Sequence, residues 1–383
     1  MTEDKKKLEI SIDFSMIIGK YFKSNEDFIN IMKANKKYKE LVEMYFCNPI
    51  SDISLFPNIQ TQHFYKEEDI KNKKENLFQY IYWYNIDYNK FKNKKNNEIF
   101  KNVELGILNN IKENEDIHPL KVEENCIIPE GITKIGEDYF RGCSQLKNIK
   151  LPNSLKEIGL NNFYGTNIKN IKIPEGIIKI PKNCFKNCLR LINIEFSNSL
   201  IEIDDYAFSF SGLKKINFNY GLKRIGNYCF DSCIDLNEIN LPNSLKEIGI
   251  GAFKFTIIKI LNIPNKITRI EDYCFYKCNQ LIVIDLPETL EEIGKKSFYG
   301  TNIETISIPD NVKKLGDNCF DDCLNLYYIS LPDNLEEIGN KCFYNDNLDK
   351  EILMNSKKFE ILGTSLFFKN SKGEEQCSQH CFN

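Results

Sequence analysis

The chain has 383 residues, in which 51 lysines and arginines nearly balance 54 aspartates and glutamates. The net charge of −3 provides no overall field for binding nucleic acid or an anionic membrane. No run of about 18 apolar residues is present, so the sequence predicts no transmembrane segment. Residues 1–20 are charged and lack the apolar core of a signal peptide. These features favour a cytoplasmic location, with surface exposure by an unconventional route left open.

Residues 1–60 are predicted to form a small helical head, because their apolar side chains recur at helical spacings. Within the head, Asp27-Phe28, Ala34 to Tyr38 and Leu41 are similar to the core of an F-box. An F-box in front of repeats is the layout of substrate receptors in ubiquitin ligases, so the resemblance implies a Skp1-like adaptor as a partner. The implied helix contacts are Phe14, Ile18, Phe22, Phe28 and Tyr38.

The head also departs from the F-box pattern. Phe14-Ser15 replaces the usual opening Leu-Pro, Asn35 replaces a cysteine and Tyr38 replaces a tryptophan. Three short amphipathic helices that only cap the rest of the chain would show the same spacing. Both interpretations stay open at the level of sequence.

Residues 61–119 are predicted to be an aromatic-rich connecting and capping segment. Its run Tyr80 to Ile86 is expected to form a strand that is buried on both faces and covers the first repeat, since the end of a repeat array otherwise exposes its core. An aromatic run near lysines can also stack nucleic-acid bases, but the balanced charge argues against that role.

A strict phenylalanine period dominates residues 120–348. The gaps between these phenylalanines alternate between 23 and 22 residues, which indicates a stack of similar coils with one continuous core. The period is set by Phe140, Phe163, Phe185, Phe208, Phe230, Phe253, Phe275, Phe298, Phe320 and Phe343. Each of these side chains is expected to be buried and to stack on the phenylalanines of the neighbouring coils.

The other repeat positions have predicted structural tasks. The segment Leu-x-x-Ile-x-Leu is expected to form a short strand that points its isoleucine inward and pairs in parallel with the next coil. A glycine such as Gly249 follows the next isoleucine in seven of ten coils and is expected to adopt a positive φ angle in a turn. A degenerate last coil around Phe359 and Phe367 is expected to extend the array to 368.

Cysteines follow the same period, but at twice its length. Cys188, Cys233 and Cys278 lie 45 residues apart, which places them in every second coil at about 9.5 Å. A disulfide requires Cα atoms within about 7 Å, so we expect free, buried, packing thiols, as in a reducing compartment. Cys184 and Cys188 could approach each other within one coil, and Cys319 and Cys342 are the exception among the columns because they occupy adjacent coils.

The repeat, read as Leu-x-x-Ile-x-Leu-Pro-x-x-Leu-x-x-Ile-Gly-x-x-x-Phe-x-x-Cys, resembles the BspA-like class of leucine-rich repeats. The head resembles the N-terminal region of amoebal members, as at Tyr21 to Ser24, Asn48-Pro49-Ile50, Phe56 to Ile59 and Trp83-Tyr84. The resemblance implies an α+β repeat fold: a leucine-rich-repeat solenoid of about ten coils with a parallel sheet on one face, preceded by a helical domain. It also implies protein binding, as in bacterial relatives that are surface antigens or adhesins.

Catalytic and metal-binding patterns are absent from the sequence. The three histidines, His63, His118 and His380, lie outside the ten coils, and no phosphate-binding loop or nucleophile motif occurs. The tail, residues 369–383, carries Cys377, His380 and Cys381 and is expected to be disordered. We therefore predict a protein without enzymatic activity, cofactor or metal.

The solvent face of the predicted sheet is the candidate binding surface, because alternate strand residues point away from the core. Its second half carries apolar residues beside polar ones, and exposed apolar side chains are candidates for contact. The predicted binding residues are Lys215, Glu238, Ile260, Asn262, Val283, Asp285 and Tyr328. The alternative is that Ile260, Val283 and Tyr328 are simply good strand formers. The favoured function is a protein-binding scaffold or surface adhesin, and the alternative is an F-box-like receptor with an unknown target.

Overall fold

A computed structural model describes residues 61–64, 67–74, 77, 79–87, 90, 92–96, 98–105 and 124–344. It also describes the strand backbones 359–362, 365–369 and 375–378 and the helical positions 26, 27 and 30. The chain divides into two compact units, Met1–Leu105 with Gly131–Thr133, and Gly106–Glu130 with Lys134–Asn383. The predicted F-box-like contacts Phe14, Ile18, Phe22, Phe28 and Tyr38 lie outside the described residues.

The larger unit is a parallel β-solenoid of about nine turns of about 23 residues. One row consists of three-residue strands, called here the front strands, in which the middle residue is buried and the first is exposed. The front strands are Asn125–Ile127, Asn148–Lys150, Asn170–Lys172, Asn193–Glu195, Lys215–Asn217, Glu238–Asn240, Ile260–Asn262, Val283–Asp285, Thr305–Ser307 and Tyr328–Ser330. The predicted inward isoleucine and parallel pairing are confirmed.

A second row of two-residue strands, called here the back strands, lies about nine residues further along each coil and also pairs in parallel. The second residue of each back strand is a buried isoleucine or leucine, so the two rows enclose the core from two sides. The back strands are Lys134–Ile135, Glu157–Ile158, Lys179–Ile180, Glu202–Ile203, Arg224–Ile225, Glu247–Ile248, Arg269–Ile270, Glu292–Ile293, Lys314–Leu315 and Glu337–Ile338.

The ten periodic phenylalanines form one continuous stack along the solenoid. All are at most 1% exposed, and successive ring centroids lie between 5.2 Å and 5.9 Å apart with nearly parallel planes. Aromatic rings at this separation gain stabilisation beyond their buried area. The predicted burial and stacking of the phenylalanines are confirmed.

The repeated glycine after the back-strand isoleucine has a different task from the predicted one. Its φ angle is not positive, and a Cβ on Gly249 would lie 2.6 Å from the backbone nitrogen of Asn227 in the preceding coil. Gly339 would make an even closer contact, 2.3 Å, with Asp317. The prediction of a positive φ angle is wrong: glycine is needed there because consecutive coils approach too closely for a side chain.

Positive φ angles instead occur two residues before each phenylalanine of the stack. Tyr206 has φ 56°, Tyr228 has φ 52° and Lys296 has φ 52°, although none of these residues favours the left-handed region. Backbone ladders between coils, such as Phe208 N–H donating to Cys229 O at 2.9 Å, hold this turn in place. Coil-to-coil hydrogen bonding therefore overrides local residue preference.

The cysteines after the phenylalanines form a thiol–hydroxyl ladder in the core. The Cys188 thiol donates to the carbonyl oxygen of Phe163 at 2.9 Å, and its Sγ lies 3.4 Å from the Thr166 hydroxyl oxygen. The same contacts recur 45 residues later between Cys233, Phe208 and Ser211. The described cysteines are free and buried, including both Cys319 and Cys342. Their predicted role as packing thiols is confirmed by this burial.

The smaller unit contains a parallel sheet of three strands, Thr61–Phe64, Gln79–Asp87 and Glu98–Leu105, with a 3-10 helix at Glu67–Asn72. Phe64, Tyr80, Tyr82 and Ile86 form its core, so the aromatic run is a strand as predicted. The strand buries one face, at Tyr80 and Tyr82, whereas Ile81 on the opposite face is only partly buried. The burial of both faces that was predicted is therefore incomplete at Ile81. The capping role of this segment stays a prediction.

The last described strands do not continue the parallel stack. Phe359–Leu362, Ser365–Lys369 and Glu375–Ser378 pair with one another in antiparallel fashion. The structure therefore has a small antiparallel sheet where the sequence predicted a degenerate last coil that extends to residue 368. The predicted disordered tail from 369 also differs from the structure, because residues 375–378 form a strand edge of this small sheet.

Candidate functional site

The front strands present their first and third side chains to solvent in two aligned columns. In the N-terminal half, these side chains are polar apart from Ile127, which is 70% exposed, and several of them bind one another across neighbouring strands. The Asn148 side-chain amide donates to Asn125 at 2.7 Å, and that of Asn193 donates to Asn170 at 2.8 Å. This half of the face therefore satisfies its own hydrogen-bonding groups.

Lys215 and Glu238, two of the predicted binding residues, form an ion pair across adjacent front strands. The next outward position pairs Asn240 with Asn217 at 3.4 Å. Both charged side chains are about half exposed, so the pair is worth little to stability because water screens it. It does neutralise this part of the face.

Past Glu238, the first outward column carries three apolar residues, with Thr305 between the second and the third. Ile260 is 64% exposed, Val283 is 43% exposed and Tyr328 is 42% exposed. We call these three residues the apolar column. Ile260 lies opposite Val283 in register, and Asn262 lies opposite Asp285 in the second outward column. The predicted outward orientation of these residues is confirmed, and their role in binding stays a prediction.

The front row is interrupted in this half of the solenoid. The strand pair containing Lys215 and Glu238, the pair containing Ile260 and Val283, and the pair containing Thr305 and Tyr328 each form a separate two-stranded sheet. The interruptions fall where the offset between coils is 22 rather than 23 residues, so the doubled period of the sequence sets their positions.

Two clefts open at these interruptions. One has a volume of about 400 Å³ and is lined by Glu238, Asn240, Ile260 and Asn262. The other has a volume of about 330 Å³ and is lined by Val283, Asp285, Thr305 and Tyr328 among others. All the predicted binding residues except Lys215 therefore line one or the other of the two clefts.

Charged side chains on the back strands are used for pairing between coils. Arg224 contacts Glu202 at 2.9 Å and Glu247 at 3.0 Å, which links three consecutive coils. Arg269 repeats this arrangement with Glu292 at 2.6 Å. These networks couple neighbouring coils and leave no unpaired acid or base at the arginines for proton transfer.

The thiols of the core are chemically inert in the folded state. Burial raises the pKa of Cys233 and of Cys278 to about 12, far above the range in which a thiolate nucleophile forms. Among the residues that the structure describes, no group of three histidine, cysteine or acidic side chains could hold a metal ion.

A third surface feature was missed by the sequence analysis. Leu189, Phe210, Ile234 and Phe255 line a groove of about 630 Å³ beside the phenylalanine turns, and we call it the phenylalanine-edge groove. Its sequence signal is a 45-residue recurrence of two apolar positions, Leu189 with Ile234 and Phe210 with Phe255. The strong signal of the buried phenylalanines masked this weaker one.

The repeat geometry agrees with a family-level match. The model of the BspA type leucine-rich repeat region matches residues 121–233, 202–327 and 291–376, which together make up more than half of the chain. This chain belongs to that family. Its solenoid is therefore a leucine-rich repeat, as the resemblance implied, and no catalytic family is indicated.

Comparison with solved structures finds a leucine-rich repeat protein with the same fold and others with a lower similarity. A leucine-rich repeat protein from Bacteroides ovatus ATCC 8483 is 29% identical over 57% of this chain and 60% of its own chain, with a TM-score of 0.55. A leucine-rich cell surface protein from Faecalibacterium prausnitzii A2-165 is 20% identical over 71% of this chain and 83% of its own, with a TM-score of 0.33. The pneumococcal vaccine antigen PcpA is 21% identical over 65% and 74%, with a TM-score of 0.41.

The Bacteroides protein is longer than the part that this chain matches, which is 60% of its length. Comparison with curated protein sequences finds no significant match. Within the part of the chain that the structure describes, no helix has the length and apolar character needed to cross a membrane.

Proposed function

We propose that this leucine-rich repeat protein is a non-enzymatic scaffold that binds a partner protein through its front face. The observation that carries the proposal is the apolar column, whose three side chains are 42–64% exposed and lie at the two clefts where the front row is interrupted. Exposed apolar groups at a cleft, with polar groups beside them, are typical of protein contact sites.

The two halves of the face would have different tasks. The paired residues of the first half, such as Asn170 and Asn193, are already hydrogen-bonded to each other. The second half offers Tyr328 as an aromatic anchor, with Asp285 in the same cleft as a hydrogen-bond acceptor. Aromatic anchors in partly enclosed positions contribute much of the binding energy at protein interfaces, so the affinity should depend on the second half.

We further propose a surface adhesin as the biological setting, on the basis of family membership and the adhesin-like relatives of the repeat. The second candidate is an intracellular receptor whose head binds a Skp1-like adaptor, favoured by the spacing of Asp27-Phe28 and Tyr38. Labelling intact cells with a membrane-impermeant amine reagent separates the two settings. The adhesin predicts labelling of the intact protein, and the receptor predicts labelling only after lysis.

The binding role of the front face is tested with a cross-linked and identified partner. Changing Tyr328→Ala should weaken binding by about 2 kcal/mol and leave the unfolding free energy nearly unchanged, because the ring lies outside the core. Tyr220→Ala is the matched control, since Tyr220 is 93% exposed and is not part of the front strands. Wild-type affinity in both Tyr328→Ala and Val283→Ser would place the contact site elsewhere.

A further inference from the structure

The phenylalanine-edge groove lies outside the front face and has its own exposed apolar surface. Leu189 is 70% exposed, Ile234 is 67% exposed, Phe210 is 45% exposed and Phe255 is 40% exposed. All four line one groove of about 630 Å³. None of them contributes to the buried phenylalanine stack, so the core does not account for their apolar character.

The two aromatic residues adopt a backbone conformation that recurs through the repeat. Phe210 has φ 58° and Phe255 has φ 60°, in the left-handed region that costs a residue with a side chain about 1–2 kcal/mol. Glycine occupies the same position in other coils, at Gly142, Gly165 and Gly300, where it adopts this conformation without strain. Polar residues occupy it elsewhere, at Asn187, Ser232, Lys277 and Asp322, with the same positive φ. The conformation therefore belongs to the repeat, and what distinguishes Phe210 and Phe255 is an exposed apolar ring where the other coils have glycine or a polar side chain.

The apolar surface is repeated and has defined ends. Each pair of apolar positions recurs after 45 residues, so the groove contains two copies of one apolar unit across four coils. In the preceding and following units, both positions are polar or lack a side chain: Ser144 and Gly165 on one side, Asn279 and Gly300 on the other. The groove is thus a finite patch rather than a property of the whole repeat.

The spacing of the coils along this patch matches an α-helix. Neighbouring phenylalanine rings beside it lie 5.3, 5.4 and 5.6 Å apart, and an α-helix rises about 5.4 Å per turn. A helix lying along the solenoid axis would therefore place one turn over each coil. An extended strand repeats its side chains every 6.6–6.8 Å or so, and a polyproline helix every 9.3 Å or so, so both lose register within two coils.

The charges at the margin of the groove are mainly positive. Arg190 follows the groove residue Leu189, and Lys214 is exposed two positions after the groove residue Gly212. Lys277 lines the groove itself and is paired with Asp322. Neither Arg190 nor Lys214 forms an ion pair with any described residue, and Lys254 adds another cation, with its ammonium 5.1 Å from the Phe255 ring centre. The acidic residue among the groove residues is Asp235, so the margin favours a partner with negative flanks.

We propose that the phenylalanine-edge groove binds an amphipathic α-helix of a partner protein. The helix would present apolar side chains at i, i+3 or i+4, i+7, and i+10 or i+11 to Leu189, Phe210, Ile234 and Phe255. Acidic residues on either side of its apolar stripe would face the margin cations. The patch spans about 16 Å along the stack, which corresponds to a helix of roughly eleven residues. This contact is independent of the front face.

The test uses the full chain and a labelled, stapled helical peptide of about sixteen residues, because unconstrained helices of this length are marginal in water. The peptide carries leucines at the stated spacing and glutamates beside them. Fluorescence anisotropy should show binding that weakens with added salt. A scrambled peptide of the same composition and a peptide with lysines in place of the glutamates should bind at least about tenfold more weakly.

The decisive variant is Phe210→Gly with Phe255→Gly, which removes both rings and the backbone strain together. It should bind the peptide about tenfold more weakly or worse, while its melting temperature stays equal to or rises above that of the wild type. Tyr220→Ala, away from the groove, is the control and should bind normally.

Three results would overturn the proposal. The wild-type chain could bind the designed and scrambled peptides equally, or the double variant could keep wild-type affinity. The double variant could also melt at a lower temperature, which would give the two rings a structural role. Preferential binding of a proline-rich extended peptide, or self-association in sedimentation experiments that the double variant abolishes, would assign the groove to a different occupant.

Discussion

Replacing Gly249 with alanine probes the close approach of consecutive coils. The added Cβ would lie 2.6 Å from Asn227 N and 2.7 Å from Gly226 C, about 0.8 Å short of ordinary contact. Two coils would have to separate, and the Gly249 N–H bond to the Ile225 carbonyl oxygen, now 2.9 Å, would lengthen. Overpacking costs about 1–3 kcal/mol, and weakening the adjacent hydrogen bonds adds about 1 kcal/mol. We expect a loss of about 3 kcal/mol.

Gly165→Ala is the matched control for this substitution. Gly165 has a positive φ of 68°, and a Cβ placed on it would meet nothing within 4 Å. Only left-handed strain opposes the side chain, so the expected loss is about 1–2 kcal/mol. Both substitutions lower the entropy of the unfolded chain by the same amount, so this contribution cancels in the comparison.

Guanidinium unfolding followed by far-UV circular dichroism measures both free energies. The coil-contact explanation requires Gly249→Ala to cost clearly more than Gly165→Ala. An equal or smaller loss at Gly249 would show that the coils part easily and that the repeated glycine has another role.

The remaining predictions concern the core and its thiols. Phe230→Ala should lower the unfolding free energy by about 3–5 kcal/mol, because it removes a buried ring from the stack. Tyr220→Ala, at a residue that is 93% exposed, should change the unfolding free energy by less than about 0.5 kcal/mol. Similar losses for the two variants in denaturant titrations would contradict the stacking argument. Burial raises the pKa of Cys233, Cys278 and Cys323 to about 12, from 9.0 for a free thiol. Their contribution to stability is therefore complete below pH 9 and decreases as the pH rises toward 12, by about 1.4 kcal/mol per thiol at pH 10. Unfolding titrations from pH 8 to about pH 10 should show this decline in the unfolding free energy. A variant with Cys233→Ala and Cys278→Ala should show a smaller decline. An identical decline in the variant would assign the pH dependence to other groups.

The sequence was sufficient for the features that repeat with the coil. The phenylalanine period placed every ring of the stack, and period-two alternation identified inward residues such as Ile239 and outward residues such as Val283. These predictions succeed because one buried ring per coil and one pleated strand per coil leave few alternatives. The same reasoning gave the orientation of the candidate binding residues.

Features that depend on distances between coils could not be predicted from the sequence. The task of Gly249 is decided by the backbone of the preceding coil, and glycine is equally suitable for a close contact and for a positive φ angle. The left-handed turns at Tyr206 and Lys296 oppose local preference and exist because neighbouring coils hydrogen-bond there. The antiparallel pairing of Phe359–Leu362 with Ser365–Lys369 likewise overrides an apolar pattern that resembles another coil.

The candidate surfaces were predicted unevenly for a related reason. Alternation along a strand identifies the apolar column, because Val283 and Tyr328 occupy the same position in their coils. The phenylalanine-edge groove joins two different repeat positions from alternate coils, Phe210 in one and Ile234 in the next. Such a surface becomes evident only when the coils are stacked in three dimensions.

Hydroxyl-radical footprinting of the complex with the captured partner tests the central claim most directly. The method measures the solvent exposure of each side chain in the free and bound protein. Binding through the front face predicts that Ile260, Val283 and Tyr328 are oxidised much more slowly in the complex, while Tyr220 and Ile178, which lie outside the front strands, react as before. Unchanged oxidation of the apolar column, with protection elsewhere on the solenoid, would contradict the assignment of this face as the binding surface.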